Sequence, residues 1–396
     1  MKMKTVPIIL CFLSLANCQA QWVQLSGTQG GIWSLTVNGS FIFAGSDSGG
    51  VYLSTNDGLN WTQTSLNNQW VLSLTASGSN VFAGTNGHGI YQSTNNGMNW
   101  TQTTLNFGGV LNIVINGQNI FAGGSMGVYL STDFGQTWTP SSLGSLTVYA
   151  IVINGSDIFA GVVTYGVYKS TNMGGNWTPT SLNNRTIHSL STDGNIIFAG
   201  TDPYGIYIST NNGLNWTNTL GNQVVYSLPL IGCNIFAATL YNGVFLSTNN
   251  GLNWTQRNEG MGNRTVRSLA LSQNFIYAGT LGYSVWRRPL SELVGINGVS
   301  ADVAEIFSLS QNYPNPFNPT TKIQFSIPPS KGVRGMGVIL FIYDVLGREV
   351  STLVNQHLKP GNYEVEWDGS NFPSGVYFYK LATGSFSETK KMILLK

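Results

Sequence analysis

Acid–base chemistry is scarce between residues 21 and 290. That stretch holds one glutamate, Glu259, and six aspartates, against six arginines and one lysine. Cleaving a glycosidic bond takes two carboxylates that flank it. Here Asp57 and Asp133 fall inside turn motifs, and five of the six arginines (Arg257, Arg264, Arg267, Arg287, Arg288) crowd the end of the stretch. His88 and His188 lack a serine and a carboxylate spaced to complete a nucleophilic triad. No grouping of His, Cys or Asp suits a metal ion. The expectation is a non-catalytic chain without metal or cofactor.

Recognition chemistry is more plentiful. Aromatic residues make up 12% of the chain, and they become ordered once internal repeats are drawn. Tryptophan recurs at Trp22, Trp61, Trp100, Trp138, Trp177, Trp216 and Trp254, with spacings of 39, 39, 38, 39, 39 and 38. A Phe-Ala-Gly core recurs at Phe43, Phe82, Phe121, Phe159 and Phe198, and degrades at Phe236 and Tyr277. In the seven copies an aliphatic column reads Ile32, Val71, Val110, Val148, Ile187, Val225, Val266. The next column reads Trp33, Leu72, Leu111, Tyr149, His188, Tyr226, Arg267. Strand alternation turns the first column to the core and the second to the other face. Loops that follow carry Asp47, His88, Tyr165, Asp202, Tyr204, Tyr241 and Tyr283. Flat apolar faces with a polar edge suit sugars or extended peptides.

The elements that must position these residues are strands. Each repeat reads as four short ones, the first copy being Ile32–Val37, Phe41–Ala44, Val51–Ser54 and Trp61–Ser65, separated by Gly, Asn and Asp clusters. Four-strand units of ~40 residues are the signature of propeller blades. The chain starts with a lone fourth strand, Trp22–Ser26, and the seventh unit stops after its third, Val285–Leu290. The N-terminal strand can therefore complete the last blade and remove an unpaired edge. The expected architecture is all-β: a seven-bladed β-propeller over 21–290, with the first strands lining its channel. A linker over 291–306 and a small Ig-like β-sandwich over 307–396 follow. In the sandwich, Ile323, Phe325 and Ile327 alternate with Lys322, Gln324 and Ser326, and further runs lie at Val338–Tyr343, Tyr363–Trp367, Val376–Leu381 and Lys391–Lys396. Lys331–Gly337 reads as a flexible loop.

Composition excludes other classes. The 396 residues carry a net charge of +2, and only 9% are charged, which offers no basic surface to nucleic acid. Hydrophobic content of 42% is too high for a disordered chain. Lys2 and Lys4 precede an apolar run from Val6 to Ala16, with small residues at Cys18 and Ala20. Residues 1–20 thus read as a secretory signal peptide cut before Gln21, too short for a membrane span. Cys18 after Leu15-Ala16-Asn17 resembles a lipoprotein box, although Asn17 is a poor fit. Cys233 reads as a small, partly buried residue.

Two resemblances follow from motifs. Ser54-Thr-Asn56-Asp-Gly58-Leu-Asn60-Trp61 and its copies resemble the Asp-box of sialidase-like and photosystem-assembly-factor propellers. Ser131-Thr-Asp133-Phe-Gly135-Gln-Thr137-Trp138 carries every residue of that pattern; Asn56, Asn95, Asn172, Asn211 and Asn249 replace the aspartate elsewhere. These are expected to serve the turn, with Gly at positive φ and the Asp or Asn accepting backbone N–H groups. A sialidase-type glycoside hydrolase and a protein-assembly scaffold are the alternative functions the resemblance implies.

The second resemblance is to the type A C-terminal sorting domain of type IX secretion cargo. It rests on Tyr313-Pro314-Asn315-Pro316-Phe317-Asn318-Pro319, on Tyr343-Asp344-Val-Leu-Gly347-Arg348, on Gly361–Gly369 with Trp367, and on Pro373-Ser-Gly375 with the strand after it. It implies handling by the type IX machinery and placement outside the outer membrane of a Bacteroidota-type bacterium. Combined with the aromatic column, it points to an exported, non-catalytic protein that binds a glycan or protein ligand. An Ig-like adhesion module is the plainer alternative for the last domain.

Overall fold

The computed structural model describes residues 21–232, 234–282, 284–293, 296–300, 306–328, 336–358, 361–384 and 386–396. The expected signal peptide 1–20, Cys233, Tyr283 and residues 331–335 of the expected loop lie outside them. Among the described residues the chain is all-β, with one 3-10 turn at Leu290–Glu292.

The repeats fold into antiparallel sheets of four strands. The first sheet orders Ile32–Asn38, Phe41–Ser46, Val51–Ser54 and Thr62–Gln63 from one edge to the other. Among the described residues there are seven such sheets up to Pro289. The sixth carries a split first strand, Val225–Ser227 and Leu230–Ile231, because Pro229 interrupts the ladder. First strands pack side by side: Ile32–Asn38 on Val71–Ser77, onward to Val266–Leu271, which packs back on Ile32–Asn38. The N-terminal strand Val23–Gln24 pairs with Val285–Pro289, so the last sheet holds both ends of the repeat region. Trp22 is 2% exposed there, and its Nε1 donates to the Arg257 carbonyl at 2.6 Å.

Packing between neighbouring sheets explains the conserved residue types within the repeats. The aliphatic column is fully buried at Ile32, Val71, Val148, Ile187, Val225 and Val266. Each phenylalanine of the Phe-Ala-Gly core is buried too, and the box-turn glycine of the next sheet lies against it. A Cβ at Gly97 would stand 2.7 Å from Phe43 Cε1, and one at Gly135 2.9 Å from Phe82 Cε1. The glycine is therefore demanded by close approach as well as by φ.

The box turns behave as expected. Asn56 Oδ1 accepts the Asn60 N–H at 2.9 Å, and Ser54 Oγ accepts the Gly58 N–H at 2.9 Å. Asn95, Asn172, Asn211 and Asn249 repeat the first bond. Asp133 also accepts the Thr137 hydroxyl, at 2.6 Å. Its carboxyl is lowered to about 2, first by Thr137 and then by Ser131. The residue before each box glycine also takes positive φ, from Asp57 at 55° to Asn250 at 54°. That explains Asp or Asn at four of these six positions, since both tolerate the left-handed region.

The C-terminal part holds two four-stranded sheets around one core that includes Phe317, Phe325, Leu340, Trp367 and Tyr379. Thr321, Ile323, Phe325 and Ile327 point inward, in the expected alternation. Three strands are additions to the sequence reading, one of them the short Ser308–Leu309, which pairs with Thr320–Ile327. Ile296–Ser300, inside the expected linker, pairs with Gly361–Asp368. Glu349–Leu358 forms an edge of its sheet, where two register shifts and sparse burial blur the alternation. The sorting motif is built into this core. Phe317 is 2% exposed and its N–H donates to the Ile393 carbonyl, while Asn315 Oδ1 accepts the Ile393 N–H. Asp344 accepts the Leu346 and Arg348 N–H groups and pairs with Arg348 Nε at 2.7 Å, around Gly347 at φ 76°. Trp367 lies against Phe317, and Gly375 opens the strand Gly375–Thr383. Tyr313 stands out at 80% exposed, beside Pro314, Pro316, Asn318 and Pro319.

Candidate functional site

Every first strand carries a β-bulge at one position. The register shifts fall between Ile32/Ser34, Val71/Ser73, Val110/Asn112, Val148/Ala150, Ile187/Ser189, Val225/Ser227 and Val266/Ser268. The bulged residues are Trp33, Leu72, Leu111, Tyr149, His188, Tyr226 and Arg267, the candidate column itself. A bulge leaves one residue unpaired and re-aims it. Strand alternation alone would turn this column off the core face, and the bulge adds to it by re-aiming each residue. All seven line one cavity of about 300 Å³.

The next column lies deeper and ties sheet to sheet. Ser73 Oγ donates to the Val110 carbonyl and Ser189 Oγ to the Val225 carbonyl, each at 3.0 Å. Ser268 Oγ accepts the Leu35 N–H, Ser227 Oγ that of Leu269, and Asn112 Oδ1 that of Ile151. The sequence reading did not single this column out, although the repeat alignment contains it as Ser34, Ser73, Asn112, Ala150, Ser189, Ser227, Ser268.

The cavity wall is asymmetric. Tyr149 stacks on His188 with centroids 4.8 Å apart, and Tyr226 meets His188 edge-on at 5.0 Å. Arg267 Cζ lies 4.1 Å from the Tyr226 ring centre and 4.7 Å from that of Trp33. Leu72 and Leu111 supply the remaining, apolar arc. Trp70, absent from the sequence reading, packs edge-on against Trp33 at 5.1 Å. Comparing the residues just before the aliphatic column finds it, since Trp70 is the one aromatic there.

Charge in the wall is dominated by Arg267. Burial, then the charge of Arg267, lowers His188 to about 4, so its imidazole is neutral at pH 7 despite Asp202 Oδ2 at 3.5 Å. Burial lowers Arg267 as well, yet an arginine stays charged at neutral pH. Burial raises the Tyr226 phenol.

The loop residues divide. Backbone bonds from the loops between second and third strands reach the starts of the first strands, as from Asn86 N–H to the Trp70 carbonyl. Box turns instead bond the turns at the opposite end, as from Asn96 N–H to the Ser79 carbonyl. Asp47 joins the cavity group by accepting Gly31 N–H at 3.0 Å and Trp33 Nε1 at 3.4 Å. His88, Tyr165, Tyr204 and Tyr241 do not line the cavity; they stand on exposed loops, with Tyr204 against Arg185 at 4.2 Å. Tyr283 lies outside the described residues. The other carboxylates of the repeats are engaged away from the cavity: Asp157 with Lys169, Asp193 in its own turn, Glu259 with Arg288 at 2.6 Å. Among the described residues no three of His, Cys, Asp and Glu are grouped to hold a metal ion.

Comparison with known proteins accords with this architecture. Residues 311–395 match the model of the secretion system C-terminal sorting domain, and residues 129–140 match the BNR/Asp-box repeat. No curated protein matches the chain. Among solved structures the chain is similar to PorZ, a surface component of the type IX secretion system of Porphyromonas gingivalis. That match has 16% identity and a TM-score of 0.53, over 94% of this chain and 60% of that one. It is also similar to YCF48 bound to D1 peptide (14% identity, TM-score 0.56, 69% of this chain and 96% of that one). A third similar structure is the GH74 enzyme of Niastella koreensis (14% identity, TM-score 0.54, 93% and 74%). These likenesses show a propeller-type fold. The sorting domain marks the chain for type IX export, to the cell surface or into the medium. Among the described residues no helix is long and apolar enough to cross a membrane.

Proposed function

We propose that this is a seven-bladed β-propeller followed by an Ig-like sorting domain, a non-catalytic binding protein that holds a glycan or protein ligand at its channel mouth. The observation that carries the reading is the convergence of Trp33, Tyr149, His188, Tyr226 and Arg267 on one cavity. Seven sheets with ring-packed first strands support the blade count, and the paired sheets around one core support the sandwich. The non-catalytic part is supported by the wall, which offers rings, a neutral imidazole and one cation, while the carboxylates that reach it, Asp47 and Asp202, are held by Gly31, Trp33 and His188, leaving among the described residues no carboxylate free to flank a bond. Hydrolysis of a glycoside would need two.

The test is an array of glycans and peptides probed with the full-length protein, alongside a screen of fluorogenic glycosides. Array binding without turnover is expected. Turnover of any glycoside would replace this reading with a hydrolase.

A further inference from the structure

Arg267 is a cation in the cavity wall with no acidic partner among the described residues. The rings of Tyr226 and Trp33 lie against it, with centres 4.1 and 4.7 Å from its Cζ. The carboxylates that reach the wall are held by other groups: Asp47 by Gly31 N–H and Trp33 Nε1, Asp202 by His188 Nε2. Among the described residues no carboxylate lies within ion-pair distance of Arg267. Apart from a side-chain hydrogen bond with Tyr226, the N–H groups of the guanidinium have no acceptor among the described residues and are left for a ligand. That fork matches a carboxylate in two parallel hydrogen bonds.

Two further features select the carrier of that carboxylate. A cavity of about 300 Å³ stands at the small end of ligand pockets, the size of a compact ring rather than an extended chain. A peptide bound by strand addition would need a regular row of unpaired backbone groups. The bulges break that row at the level of Arg267 in every first strand. Leu72 and Leu111 on the far arc give the C–H face of a sugar ring an apolar wall. We propose that the cavity takes an acidic sugar residue at the end of a glycan, its carboxylate seated on the Arg267 fork. The proposal rests on the channel mouth being the binding site.

Titration calorimetry on the full-length protein tests it with four probes: trigalacturonic acid, its methyl ester, 3′-sialyllactose and lactose. At least one acidic probe should bind tenfold or more tightly than its neutral counterpart. Arg267→Gln should remove that difference, and Arg267→Lys should keep part of it. If Arg267→Gln fails to fold, the acid–ester comparison on the unaltered protein still decides. Equal affinity for acid and neutral forms, or binding of none of the four, would overturn the proposal. So would binding of a hexapeptide with a free but not an amidated C-terminus, with no acidic sugar bound. A neutral glycan lost on Trp33→Ala with Tyr226→Ala, but unaffected by Arg267→Gln, would overturn the carboxylate seat and leave the mouth reading intact.

Discussion

His188 lies flat on Tyr149, with 15° between the ring planes and 4.8 Å between their centres. Around this stack are the Arg267 charge, the Tyr226 edge and the Asp202 carboxylate. Burial and Arg267 outweigh Asp202, so the folded imidazole titrates at about 4 instead of 6.5. The sign follows from linkage. Between those values the unfolded chain binds the proton and the folded one does not, so stability falls as pH falls. The expected loss is ~1.4 kcal/mol per pH unit within that window, and none above it. NMR titration of the His188 ring should give a midpoint near 4, moving upward in Arg267→Gln. A midpoint near 6.5 in the unaltered protein would refute this picture of the wall.

Two glycines with positive φ separate backbone strain from collision. Gly39, at φ 62°, has open space around an added Cβ; Gly97, at φ 80°, has Phe43 Cε1 at 2.7 Å. Gly39→Ala should cost about 1 kcal/mol, from the left-handed conformation alone. Gly97→Ala should cost about 1–3 kcal/mol more, because the neighbouring core must shift. Chemical denaturation of the two variants gives the difference directly.

In the sorting domain, Phe317 and Tyr313 belong to one motif but occupy opposite environments, 2% and 80% exposed. Phe317→Ala should lower stability by about 3–5 kcal/mol, and Tyr313→Ala by ~0.5 kcal/mol or less. Denaturation curves of the full chain check both. Deleting 307–396 should trap the chain in the periplasm, as fractionation and blotting would reveal. Normal export of that deletion would contradict the sorting role.

Much of this was legible because the chain repeats itself. Seven copies expose which positions vary, and the varying column fell on the cavity wall from Trp33 to Arg267. The bulge behind that column left no trace, since it arises from a register shift against the second strand and needs no particular residue. Trp70 and the serine column were present in the same alignment, each one position outside the two columns compared. The loop tyrosines share an end of the molecule with the cavity without lining it: Tyr165 and Tyr204 project into solvent. In the last domain, Glu349–Leu358 escaped notice as an edge strand whose polar side faces outward, and Ile296–Ser300 because a five-residue strand is too short to show a period.

The most direct measurement compares opposite ends of the propeller-like ring. The affinity of the strongest array ligand is measured by calorimetry for three proteins: unaltered, Trp33→Ala with Tyr226→Ala, and Leu59→Ala with Leu214→Ala. Leu59 and Leu214 are exposed residues of the box turns, at 58% and 72%. Losing two stacked aromatic contacts should weaken binding by roughly 30-fold or more, equivalent to ~2 kcal/mol, while the box-turn variant binds as the unaltered protein does. Full affinity in the Trp33 and Tyr226 variant, with loss in the box-turn variant, would move the site to the other face and contradict the account.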